Sequence, residues 1–171
     1  MNKLYSIFLR YILLILIAIS NLWLFYFILT PLTIYPVFFL LNIFFNVSVS
    51  GITLSMQGFQ IELARACIAG SAYYLLLILN LTTPMPLKKR INSIVFSLFF
   101  FLLFNILRIF FFSILFINSF AFFNLFHLIF WYFISSFLVF IIWVAEIKIF
   151  KIKQIPIYSD IWYLYQKIKT T

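Results

Sequence analysis

Long apolar runs alternate with short polar or proline-bearing breaks along this chain, and their lengths predict helices that cross a bilayer. Tyr11 to Thr30 is interrupted only by Ser20 and Asn21 and is long enough for a hydrocarbon core of about 30 Å. Pro31 and Pro36 bracket a shorter run, Val37 to Phe45, which is expected to be an interfacial or re-entrant piece within residues 31–46. The second span is expected over residues 61–82, stopped by Pro84 and Pro86, the third over 91–117 and the fourth over 125–147.

One stretch has a different period. In VSVSGITLSMQGFQIE (Val47 to Glu62), Val47, Val49, Ile52, Leu54 and Met56 alternate with Ser48, Ser50, Thr53, Ser55 and Gln57, broken at Gly51 and Gly58. A period of two punctuated by glycine predicts a short hairpin. An open strand edge is not tolerated in lipid, so the hairpin is expected in the outer interface or over a cavity. After the fourth run, residues 148–171 carry Tyr158, Trp162, Tyr163 and Tyr165 with Lys167 and Lys169, the makings of an amphipathic cytoplasmic tail.

Composition agrees with this pattern. Of the 171 residues 67% are hydrophobic, 23% aromatic and only 9% charged, far from a soluble domain. The expectation is an all-α integral membrane protein. It is one polytopic domain over residues 1–171, a helical bundle of about four spans plus the interfacial or re-entrant segment and the hairpin-like outer segment. The first run lacks a small-residue cleavage site and reads as an uncleaved anchor.

The net charge of +9 would fit a nucleic-acid binder, but the basic residues sit at the ends of apolar runs rather than in a patch. Lys3, Arg10, Lys88, Lys89, Arg90, Lys148, Lys151, Lys153, Lys167 and Lys169 all fall on one side if both termini are cytoplasmic. Of the 12 basic residues, that topology leaves Arg65 and Arg108 as exceptions. The single cysteine excludes an intramolecular disulfide and a cysteine-rich metal site, and no cofactor is implied.

The exceptions fall near that cysteine. Arg108 lies 18 residues beyond Arg90, hence about 27 Å above the cytoplasmic anchor; His127 lies 21 residues before Lys148, about 31 Å; Cys67 lies 16 residues before Thr83, about 24 Å. Three helices thus bring a thiol, a guanidinium and an imidazole to a similar level near the outer face. Each has a plainer reading. The residues from Ala64 to Ser71 are small enough for close helix packing, Arg108 can snorkel to headgroups, His127 can be an interfacial polar residue, and Arg65 can pair with Glu62. Taken together they can perform acyl transfer through a thioester. A thiolate favoured by nearby cations attacks, His127 moves the protons, and Arg108 holds the scissile carbonyl or its oxyanion. No GxSxG, HExxH or phosphate-binding glycine loop supports another chemistry.

At RACIAGS around Cys67, NILR from Asn105 to Arg108, and HLIFW from His127 to Trp131, the chain resembles the exosortase/archaeosortase family of polytopic membrane cysteine transpeptidases. The likeness covers roughly residues 31–147, and the short length is most similar to compact archaeal members. It implies catalytic roles for Cys67, Arg108 and His127. It also implies substrates that are secreted proteins ending in a recognition motif, a transmembrane helix and a basic tail. These are cut at the outer membrane face and passed to an acceptor, often a lipid or glycolipid. A protease releasing its product to water is a further possibility. The non-enzymatic alternative is a small membrane subunit or transporter component whose Arg108 and His127 line a polar pathway. That pathway requires polar groups at several depths, for which Ser97, Ser135 and Ser136 are the main candidates.

Overall fold

The computed structural model describes residues 3–169. In chain order they form α1 (Lys3–Ile19), α2 (Trp23–Asn42), β1 (Val47–Ser50), β2 (Thr53–Met56), β3 (Phe59–Glu62), the one-turn α3 (Arg65–Ile68), α4 (Gly70–Thr82), α5 (Leu87–Ile117), α6 (Phe123–Ile129), a π-helical turn (Phe130–Ile134), α7 (Ser135–Ile149) and α8 (Tyr158–Lys169). Four helical stretches are long and apolar enough to cross a membrane: Trp23–Asn42, Arg65–Thr82, Leu87–Ile117 and Phe123–Ile149. The chain is a multi-pass, largely helical membrane protein.

The first third departs from expectation. No single helix covers residues 11–30, and residues 31–46 are not a separate interfacial or re-entrant piece. The chain breaks instead at Asn21 and Leu22, which hold φ of 51° and 56°, beside the Ser20 hydroxyl bonded to the Ile17 carbonyl. From Trp23 the helix runs through both Pro31 and Pro36. Each proline removes one backbone donor, but an apolar environment offers the remaining polar groups no partner outside the helix, so it persists. The second expected span likewise begins late, because Ile61 and Glu62 belong to β3.

Contacts along the helices give their directions. Arg10, Leu14, Phe25 and Leu29 meet Leu81, Tyr74, Tyr73 and Ile68 in turn, so α1 and α2 climb together while α4 descends. Phe96 with Phe150, Ser93 with Glu146, Arg108 with Ser135, and Phe116 with Phe123 set α5 antiparallel to the α6–α7 run. Both described ends of the chain meet at one end of the bundle, where Arg10 and Asp160 form a buried ion pair at 3.1 Å.

At the opposite end stands an antiparallel sheet of order β1-β2-β3, a three-strand meander rather than a single hairpin. Gln57 and Gly58 both have positive φ, as a type I′ turn requires, and Gly51 supplies positive φ at the other turn. The alternation places Leu54 and Met56 against Ile34, Val37 and Leu41 of α2 and Ile106, Ile109 and Ile117 of α5. A second cluster, built on Tyr73, Leu76, Phe101, Val139 and Ile142, fills the bundle below it.

Candidate functional site

Cys67 sits on the single turn of α3, its N–H donating to the Ala64 carbonyl at 2.8 Å. The helix does not continue into α4. Ala69 takes the left-handed conformation (φ 59°, ψ 39°), so Cys67 does not share one helical face with Gly70 and Ser71. The small-residue reading holds for Gly70 alone, where an added Cβ would lie 2.9 Å from the Tyr26 ring. Arg65 stands over that same ring, 5.3 Å from its centroid, and makes no ion pair with Glu62.

Arg108 reaches the thiol's neighbourhood from α5. Its Nη2 donates to the Cys67 carbonyl at 3.3 Å and its Nη1 to Ser135 Oγ at 2.6 Å. Asn105, three residues earlier on the same helix, donates to the same Cys67 carbonyl at 3.0 Å. The Ser135 hydroxyl in turn donates to the Phe130 carbonyl at 3.0 Å, which also accepts the Ser135 N–H in the π-helical turn. The guanidinium is therefore held between α3 and α7, and its charge acts on both Cys67 and His127.

His127 comes from α6. Its ring stacks on Phe123 at 5.6 Å and meets Phe112 edge-on at 5.5 Å. Cys67, Arg108 and His127 all line one cavity of about 350 Å³, formed by residues of β3, α3, α5, α6 and the π-helical turn. Phe112, Phe116, Phe123 and Phe130 make most of the remaining wall apolar. Arg108 and Phe130 also line a second, nearly all-apolar cavity of about 380 Å³ between α5 and α7, so they form the partition between the two. Among the described residues no three carboxylate, thiol or imidazole groups cluster as a metal site.

Sequence reasoning missed two supports and one cluster. Asn105 carries a legible signal, since a residue three before Arg108 shares its helix face. Ser135 does not, because the π-helical turn re-aims it. The cluster is Glu146, fully buried, which accepts from Asn80 Nδ2 at 3.1 and 3.2 Å and from Ser93 Oγ at 3.1 Å, with Ser97 beside Asn80. The apolar layer of Tyr73, Leu76, Phe101, Val139 and Ile142 separates it from Arg108, and Ser136 is exposed and bonded to its own helix. No family model, curated protein or solved structure matches the chain.

Proposed function

We propose that this protein is a membrane cysteine peptidase or transpeptidase that cuts secreted proteins near a C-terminal transmembrane helix. The observation that carries the reading is that Cys67, Arg108 and His127, from three separate helices, line one largely apolar cavity. The likeness of the motifs around them to the exosortase/archaeosortase family supports the same assignment. Positive residues at the end opposite the cavity, Lys88 to Arg90 and Lys148 to Lys153, favour cytoplasmic termini and a cavity at the outer face.

In the proposed reaction the Cys67 thiol gives its proton to His127, and its sulfur attacks the scissile carbonyl carbon. Arg108 stabilises the developing oxyanion. The C–N bond breaks, the amine leaves with the proton from His127, and the substrate remains as a thioester on Cys67. A hydroxyl or other nucleophile of a lipid or glycolipid acceptor then attacks the thioester. Its proton returns through His127 to the thiol, and the product leaves as an ester or amide. Water in the acceptor's place makes the protein a hydrolase.

The subunit or transporter reading needs a polar route, and the apolar layer between Arg108 and Glu146 interrupts it. The test is co-expression with a protein ending in motif, apolar helix and basic tail. Wild type is expected to shorten the tail. Cys67→Ala and Cys67→Ser, inserted at normal levels, are expected to abolish processing, and Arg108→Ala to slow it by roughly 10²–10³-fold. Processing by Cys67→Ala at the wild-type rate removes the nucleophile assignment.

A further inference from the structure

The free edge of β3 forms a wall of the same cavity, and its polar groups have a definite chemistry. The Leu63 N–H donates to the Ile52 carbonyl at 2.9 Å, which fixes the parity of the β2–β3 ladder. Phe59 and Ile61 therefore point their backbone groups at β2, while Gln60 and Glu62 point theirs away from the sheet. The Glu62 carbonyl is turned back onto the Ala64 N–H at 3.1 Å. That leaves the Gln60 N–H and C=O and the Glu62 N–H on the open edge, with no backbone partner among the described residues.

The cavity wall includes every residue from Gln60 to Ala64. A strand touched on one face contributes alternate residues; an unbroken run means that the cavity follows its edge. Unpaired backbone groups on such an edge bind an extended chain, which offers donors and acceptors at matching spacing. The phenylalanines that share the cavity with this edge, Phe112, Phe116 and Phe123, suit apolar side chains on one side of that chain.

We infer that the peptide segment preceding the substrate's apolar helix binds as a fourth strand on the free edge of β3, which aligns its backbone beside Cys67. This rests on the peptide substrate proposed above. Gln60 and Glu62 are then positioning residues, acting through their main chain. Side-chain selection falls to the phenylalanine wall, at every second substrate position.

The test uses the full-length protein with Gln60→Cys in a Cys67→Ala background, co-expressed with the tail-bearing substrate carrying one cysteine at each position in turn before its apolar helix. Mild oxidation with copper phenanthroline is expected to give disulfide cross-links at every second position. Cross-links at helical spacing, at all positions equally, or at none overturn the inference. A second variant reads rate in the active protein. Gln60→Pro removes an edge donor without touching the β2 ladder and is expected to process about three- to tenfold more slowly than Gln60→Ala, which keeps that donor. Equal rates for the two count against it. Alternating cross-links without cleavage by wild type leave strand binding standing and remove the peptidase reading. Cleavage without alternation does the reverse.

Discussion

Ala69 holds a left-handed backbone without being glycine, directly beside a glycine that is not left-handed. The pair divides two tasks: Ala69 turns the chain so that α3 can leave the axis of α4, and Gly70 lets Tyr26 approach. Ala69→Gly is accordingly expected to stabilise the protein by up to about 1 kcal/mol, since only glycine adopts positive φ without steric cost. Gly70→Ala should destabilise it by about 1–3 kcal/mol through collision with the Tyr26 ring. Thermal unfolding in detergent separates the two, and the reverse order would mean that the break at Ala69 carries no strain. The sequence makes the small residues visible but not this division, because an apolar helix and a broken one differ here by one torsion. The meeting of three polar side chains at one cavity was legible for a simpler reason. Cys67, Arg108 and His127 are rare types in an apolar chain, and helical rise alone places them at one level.

At the scale of elements, the helices from α5 onward follow the apolar runs closely, because the prolines at 84 and 86 and the basic cluster after them leave little freedom. The α1–α2 break is where reading by breakers failed. Two prolines weighed less than a serine and an asparagine, since the prolines lie within one continuous apolar stretch and forfeit only their own donors. The tail was legible as amphipathic, but its anchor was not. Asp160 is 1% exposed and accepts from Arg10 at 3.1 Å through both carboxylate oxygens, while Arg10 also donates to the Leu81 carbonyl at 2.7 Å. Removing one partner strands the other's charge, so Asp160→Ala is expected to cost about 3–5 kcal/mol and to expose α8 to added protease. The double variant Arg10→Met with Asp160→Leu, which buries no charge, should recover most of that loss. A double variant as damaged as the single one would show that the pair contributes through hydrogen bonding to Leu81 rather than through compensated charge.

The whole molecule is an ascending pair, a descending helix, a long ascending helix and a descending helix, with a sheet at one end and both described chain ends at the other. Single-cysteine labelling reads this arrangement directly. In intact cells an impermeant maleimide is expected to label Ser50→Cys in a Cys67→Ala background, at the sheet end, and to leave Lys169→Cys unlabelled until the membrane is opened. Equal labelling of both in intact cells would contradict a bundle with its two ends on opposite sides of a membrane.

The Arg10–Asp160 pair also bears on how the protein is made. Its members stand 150 residues apart, so at ordinary translation speeds the arginine in the first helix waits roughly 8–30 s for its counter-ion to be synthesised. During that interval α1 cannot settle between its neighbours at full stability, and the helix made first becomes one of the last to lock. Completion of the tail is therefore the step that supplies the buried arginine with its counter-ion. A chain released short of Asp160 carries its spans and its cavity residues, yet leaves the Arg10 charge with only the Ser6 and Leu81 carbonyls as partners.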